Sequence, residues 1–469
     1  MVFYDWVWTT TMATNNNVGS PQPPLRENFE HNLVINDCIT NPKNLIVLPP
    51  EYDDSVEFEK YKNFVPIEVV KFKNPEKTYM RINEIAEIDL SHHYQGWGVI
   101  YFGVILPRKD VPGHDEKTIF QMPSSNLAKR VAIKKLSKNV VNEYLQRGGN
   151  ENPYKEIQRM QMYGDNHHVL SLYEALHDED FLYIIMPYCD GGNLANWIFS
   201  EKRLSIHEHF LGGFAAVYLN LLENIKYLHR HGICHRDLSP DNCAVLNGRI
   251  VLIDFAMSFR IPSNNDGSTT MTANTRDFFG KTAYLPPEIV SGFHYFEATV
   301  CDLWSSVIIL FNLLTGEIAW ETSLPHDVRF RYLVLAGALS RMPVNERTVE
   351  ILADEPVTSS LRLLAEKCLD LNPNVADLLG GVLKLDPNQR WKTQQVQNCL
   401  WLEAFRQLEW LEKTNYYFQF LISKVYSQNS AFKLSLDCVE REMENYWFLF
   451  LARLYKTQRF KWFGMMWIV

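Results

Sequence analysis

The segment His235-Arg236-Asp237-Leu238-Ser239-Pro240-Asp241-Asn242 sets a side-chain amide shortly after a carboxylate, and Asp254-Phe255-Ala256 adds a second carboxylate twelve residues after Asn242. Moving a phosphoryl group from ATP to a hydroxyl needs a carboxylate near the attacking oxygen. It also needs oxygen ligands for Mg2+, which bridges and neutralises the phosphates. Asp237, Asn242 and Asp254 supply those groups in that order. Taken alone, His-Arg-Asp is equally well a salt-bridged turn.

Such groups act only if held in place. Upstream, 99–105, 130–134 and 182–186 are rich in β-branched and aromatic residues and predict strands. Between them, Asn152-Pro153 reads as an N-cap with proline at the first helical position, and Ile157, Met160 and Met162 follow at roughly helical spacing. Residues 106–129, with Pro107, Pro112, Gly113 and Pro123, predict a long connecting loop. Beyond Asn193 the pattern turns helical: 210–229 has apolar residues every three or four, and 303–314 is apolar nearly all round, as a helix inside a lobe is. A strand-rich part and a helix-rich part joined at Pro187-Tyr188-Cys189 predict a two-lobed α+β domain with a cleft between.

The two acidic segments resemble the catalytic and magnesium loops of eukaryotic protein kinases, and further signatures follow in that family's order. Val131-Ala132-Ile133-Lys134 lies on a predicted strand, Ala283-Tyr284-Leu285-Pro286-Pro287-Glu288 resembles the end of the activation segment, and Asp302-Leu303-Trp304-Ser305 and Asp386-Pro387 with Arg390 resemble later motifs. The resemblance implies a small β-rich N-lobe over about 89–187 and a larger helical C-lobe over about 188–404. Residues 1–88 then form an extension of uncertain order, and 405–469 a helical, aromatic and basic extension. The implied activity is transfer of the ATP γ-phosphoryl group to Ser/Thr hydroxyls of protein substrates, with ATP and Mg2+ as cofactors.

The resemblance also assigns roles. Asp237 is the catalytic carboxylate; Asn242 and Asp254 hold Mg2+. Lys134 touches the α- and β-phosphates with Glu156 as its partner, ahead of Glu151 and Glu143. Gly96 and Gly98 lie near the phosphates, Ala132 and Ala244 sandwich adenine, Met186 controls access behind it, and Tyr188 and Cys189 follow Pro187 in the hinge. Met160, His235 and Phe255 stack as an apolar spine, Asp302 holds the catalytic-loop backbone, and Arg390 pairs with Glu288. For any single Met or Ala here, plain core packing explains the residue equally well.

Three positions depart from the family pattern. Tyr101 stands where a third glycine is expected, and Ala256 replaces the glycine of the magnesium motif, where its methyl disfavours positive φ. Ser239 stands where Ser/Thr kinases carry a lysine, so Lys281 is expected to reach in and restore the charge beside Asp237, unless it is a surface lysine. Pro240 keeps the Ser/Thr frame, and no arginine or alanine of the tyrosine-specific pattern lies between Leu238 and Asn242. Ser268, Thr269, Thr270, Thr272 and Thr275 are acceptors for a regulatory phosphate that Arg236 would receive. The rival reading is a pseudokinase that binds ATP or scaffolds signalling proteins. A small-molecule phosphotransferase is disfavoured by the segment 284–288 and Arg390.

With 46 basic and 55 acidic residues the formal charge is -9, so no overall field draws the chain to nucleic acid. The eight cysteines include no C-x-x-C pair and read as thiols in a reducing compartment. A start without a basic leader and the lack of a long apolar window predict a cytoplasmic protein. Residues 446–469 mix tryptophans with arginines and lysines. Such a tail packs on its own domain or a partner more readily than on a membrane surface.

Overall fold

The computed structural model describes residues 33–40, 45–48, 68–72, 77–88, 97–107, 118–121, 129–164, 166–200, 213–261, 270–272, 279–292, 295–335, 364, 367–368 and 371–407. Among the described residues, nine strands lie in the first part of the chain: β1 (Asn36–Thr40), β2 (Leu45–Leu48), β3 (Glu68–Phe72), β4 (Lys77–Ile88), β5 (Gly98–Pro107), β6 (Thr118–Gln121), β7 (Arg130–Ser137), β8 (Glu174–His177) and β9 (Phe181–Pro187). Helices α1 (Lys138–Gln146) and α2 (Pro153–Tyr163) separate β7 from β8.

Seven of these strands close into a ring in the order β1-β3-β4-β5-β7-β9-β8. Side chains alternate across each strand, so β7 and β9 serve two cores. Val131, Ile133, Tyr183 and Ile185 cluster with Leu176 on one face. On the other, Leu136, Leu182 and Ile184 pack under Ile157 and Met160 of α2. Helix α2 starts where the sequence predicts: the Asn152 side chain accepts a hydrogen bond from the Tyr154 N–H at 2.9 Å, and Pro153 takes the first turn.

The strands expected in 99–105, 130–134 and 182–186 are β5, β7 and β9. Two features differ from the sequence expectation. The expected boundary between 88 and 89 falls between β4 and β5, which pair from Lys77↔Pro107 to Ile88↔Gly98, so strands of the expected extension belong to the same sheet. The expected loop 106–129 contains β6, which pairs in parallel with β2 from Leu45↔Thr118 to Leu48↔Gln121.

The second half is mainly helical: α3 (Leu194–Ile198), α4 (Gly213–Arg230), α5 (Pro287–Val290), α6 (Ala298–Thr315), α7 (Pro373–Val382) and α8 (Thr393–Gln397). Strand pairs β10 (Ile233–Cys234) with β13 (Phe259–Arg260), β11 (Cys243–Leu246) with β12 (Arg249–Leu252), and β14 (Thr270–Thr272) with β15 (Tyr295–Glu297) lie between α4 and α6. Helix α6 buries Leu303, Trp304, Val307, Ile308, Leu310 and Phe311, as an all-round apolar pattern demands. Chain contacts separate Met1–Leu402 from Glu403–Val469, and of the latter only 403–407 are described. The six cysteines with described side chains are free thiols. Among the described residues no helix is long and apolar enough to cross a membrane.

Candidate active site

The loop after β10 is held from below by α6. One Asp302 carboxylate oxygen accepts the His235 N–H at 2.9 Å and the other accepts the Arg236 N–H at 2.9 Å. His229 of α4 adds a third donor, its Nε2 lying 2.8 Å from Asp302 Oδ2. Burial alone would raise the Asp302 pKa, but the bond from His229 and the backbone donors outweigh it and hold the carboxyl below its ordinary range. Arg236 adopts a left-handed φ of 69°, a strained conformation for an arginine, and these bonds compensate it.

This anchoring presents Asp237 and Asn242 together. The Asn242 amide nitrogen donates to the Asp237 backbone oxygen at 2.7 Å and to its Oδ2 at 2.8 Å. Asp237 Oδ1 accepts the Lys281 N–H at 3.2 Å. Gly280, at φ 77°, allows that approach: a Cβ there would lie 2.7 Å from the Arg236 carbonyl oxygen. Burial, reinforced by the charge of Asp254, raises the Asp237 pKa.

Asp254 also has a left-handed φ, 62°, with Oδ1 accepting the Ala256 N–H at 3.3 Å. Positive φ therefore falls on Asp254, and Ala256 is not among the residues that adopt it. Phe255 is buried with its ring tilted against His235, centroids 5.0 Å apart, and Met160 is buried as well. The Ala256 carbonyl accepts the Asn152 N–H at 3.1 Å, which ties this segment to the start of α2.

Across from these carboxylates, Lys134 on β7 meets Glu156 on α2 at 2.7 Å, with both groups buried. Burial disfavours the ammonium, yet Glu156 and Asp254 outweigh that and raise the Lys134 pKa. Glu143 pairs instead with Arg147 at 2.5 Å. Glu151, one residue before the α2 cap, is a further carboxylate near this centre, and burial together with Asp254 pushes its pKa up to about 7. Its place was open in the sequence only as a weaker alternative to Glu156. Nothing in the spacing marks it as a neighbour of Asp254.

Gly98 opens β5, where a Cβ would lie 2.4 Å from the Lys135 carbonyl oxygen, so close strand packing alone requires glycine there. Trp97 beside it is buried edge-on against Tyr144, ring centroids 5.3 Å apart. Gly96 lies outside the described residues. Ala132 stands opposite Met186 and Phe102 in the sheet, whereas Ala244 is buried on β11 in the other half. The Tyr188 N–H donates to Arg130 at 3.4 Å, and burial pushes the Cys189 thiol up to about 12.

Lys281 is exposed, and its ammonium donates to Ser239 Oγ at 3.2 Å and to Asp241. The rest of the segment is fixed to the helical half: Ser305 Oγ donates to the Tyr284 carbonyl at 2.8 Å, and Ser323 Oγ to Leu285 at 2.7 Å. Arg390 makes a two-pronged bond to Glu288 at 2.6 and 2.7 Å and lies 4.5 Å over the Trp304 ring. Arg236 stacks on Phe279 at 3.3 Å from its centroid. Thr270 and Thr272 lie in β14, while Ser268, Thr269 and Thr275 fall outside the described residues.

A family model described as the protein kinase domain matches residues 117–402. Similar curated proteins include the probable serine/threonine-protein kinase HSL1 of Saccharomyces cerevisiae, 26% identical over 62% of this chain and 17% of that protein. The Aurora/IPL1-related protein kinase 2 of Caenorhabditis elegans is 25% identical over 58% of this chain and 74% of its own length. The serine/threonine-protein kinase stk11 of Xenopus laevis is 26% identical over 60% of this chain and 56% of its own length. The aligned part thus spans from under a fifth to about three quarters of these relatives. A match over more than half of the chain, joined to a lysine, two aspartates and an asparagine gathered as described, makes this protein a member of the protein kinase family.

Proposed function

We propose that the domain transfers the γ-phosphoryl group of ATP to Ser or Thr hydroxyls of protein substrates. The observation that carries this reading is the buried Lys134–Glu156 pair at 2.7 Å, formed while Asp254 and Asp237 lie near enough to shift each other's charge balance. A buried pair of this kind is a poor source of net stability, which favours a functional reading of it.

Asp237 accepts the proton of the attacking hydroxyl, a task suited to a carboxylate whose pKa burial has raised. Asn242 turns its amide nitrogen to Asp237 and keeps its carbonyl oxygen for a cation, with Asp254 as the second ligand. This donor set of oxygens fits Mg2+, which when bound neutralises the phosphates. Lys134 holds the α- and β-phosphate oxygens. Lys281 supplies positive charge next to Asp237, where Ser239 has none. Gly98, Ala132, Met186, Tyr188, Cys189 and Ala244 line the nucleotide's place, and Arg236 receives a phosphate carried by the segment 268–275.

Phosphate transfer from labelled ATP with Mg2+ to a generic Ser/Thr substrate tests the reading. Activity in the wild type that is lost in Asp237→Asn and in Asp254→Asn is the expected result; an inactive wild type supports the scaffold instead. Lys281→Ala at saturating ATP is expected to lower turnover about tenfold or more, and unchanged turnover would exclude its charge from the transfer step.

A further inference from the structure

Residues before β4 and β5 reach α2. The Val34 N–H donates to Gln161 Oε1 at 3.2 Å, and Gln161 Nε2 donates back to the Val34 carbonyl at 2.6 Å. The glutamine amide thus pairs with the backbone as a neighbouring strand would. Immediately afterwards β1 pairs in parallel with β8 at Asn36↔Leu176 and Asp37↔His177, and Asp37 lies 3.2 Å from His177 Nε2. Leu33 and Ile35 pack on the core that contains Ile157 and Met160. The other edge of β1 pairs with β3, which pairs with β4, which pairs with β5.

We infer that residues 33–40 are a built-in strap that holds α2 where Glu156 meets Lys134, with Gln161 as the positioning residue. Gln161 follows Glu156 by five residues on the same helix, so a bond that fixes one limits the rotation and withdrawal of the other. The strap grips α2 by its last turn, while the Asn152–Ala256 backbone bond grips the first. Helix α2 is thereby held at both ends. The closed ring also joins the helix clamp, through β3, to the paired strands β4 and β5. The inference rests on the phosphotransfer reading for its effect on activity, though not for its effect on the helix.

Gln161→Leu removes the two-way bond, and Val34→Pro removes the N–H donor at a residue that is 58% exposed. Met162→Ala, an exposed neighbour on α2, serves as control. In the full chain, hydrogen exchange over 153–163 is expected to quicken about tenfold in both strap variants, with kcat/KM for ATP down by a similar factor and Tm nearly unchanged. The control should match the wild type. Fast exchange confined to 33–40, with α2 protection and ATP kinetics intact, would overturn the strap. So would exchange that quickens evenly across the whole chain, since that reports stability alone. Selective loosening of α2 in a protein whose wild type transfers no phosphate would uphold the strap and sink the phosphotransfer reading.

Discussion

Glu151 illustrates how one side chain near the centre couples charge to stability. Its pKa is pushed up from the ordinary carboxylate range to about 7, so between about 4.5 and 7 the folded protein binds a proton that the unfolded chain has lost. The stabilisation from this group is complete below the unfolded pKa and disappears as pH rises through about 7. In the nucleotide-free protein without Mg2+, the stability of the wild type relative to Glu151→Gln should therefore fall across that window, by on the order of 3 kcal/mol at most. Urea melts of both proteins at several pH values measure it; a flat difference would mean the carboxyl is better solvated than its burial implies. Lys281 was visible in the sequence through the absence of a lysine at position 239 and through its own place in Gly280-Lys281-Thr282-Ala283, where the family usually keeps a threonine. Its bonds to Ser239 and Asp241 needed the fold, because they cross some forty residues of chain.

At the scale of elements, the Glu288–Arg390 pair joins α5 to the segment before α8 and lies under Trp304 of α6. Arg390→Met leaves Glu288 buried and uncompensated, which should cost about 3–5 kcal/mol. The double variant Glu288→Leu with Arg390→Met should recover a large share of that loss in equilibrium unfolding, and equal losses would show that the arginine matters through its stacking instead. Both residues were legible beforehand because they sit in motifs. The strand β4 was not. Its pairing with β5 shifts register between Arg81 and Asn83 and again between Glu84 and Ala86, so the two-residue alternation changes phase twice within twelve residues. Strand β6 was hidden for another reason: four residues, Thr118–Gln121, carry too little pattern to stand out among prolines. Helix α2, by contrast, announced itself through its cap and its proline.

For the molecule as a whole, the lysine of the candidate site comes from the strand-rich part and its aspartates come from the helical part. A ligand that bridges them stabilises both. Mg-ATP at about a hundred times its dissociation constant should add about 2.7 kcal/mol to the folded state, read as a rise in Tm. With Asp254 as the proposed cation ligand, removing the cation with EDTA should shrink that rise, because the phosphate charge would then go unneutralised. An equal shift with and without Mg2+ would place the nucleotide away from Asp254. The two-lobed layout was legible because strand-rich and helix-rich text are separated at Pro187. The closing of the sheet was not, since it depends on pairings between residues such as Asn36 and Leu176 that are remote in the chain.

That closing seam has a consequence for how the protein behaves in company. A ring of strands leaves no row of unpaired N–H and C=O groups facing solvent, and such rows are the template on which chains stack into aggregates. Here the ring is completed by only two residue pairs between β1 and β8. Unlatching the seam would expose β8, a strand with two buried apolar residues, to any neighbouring chain. The cost of a weakened seam should then appear as self-association at high concentration, before heat unfolds either half.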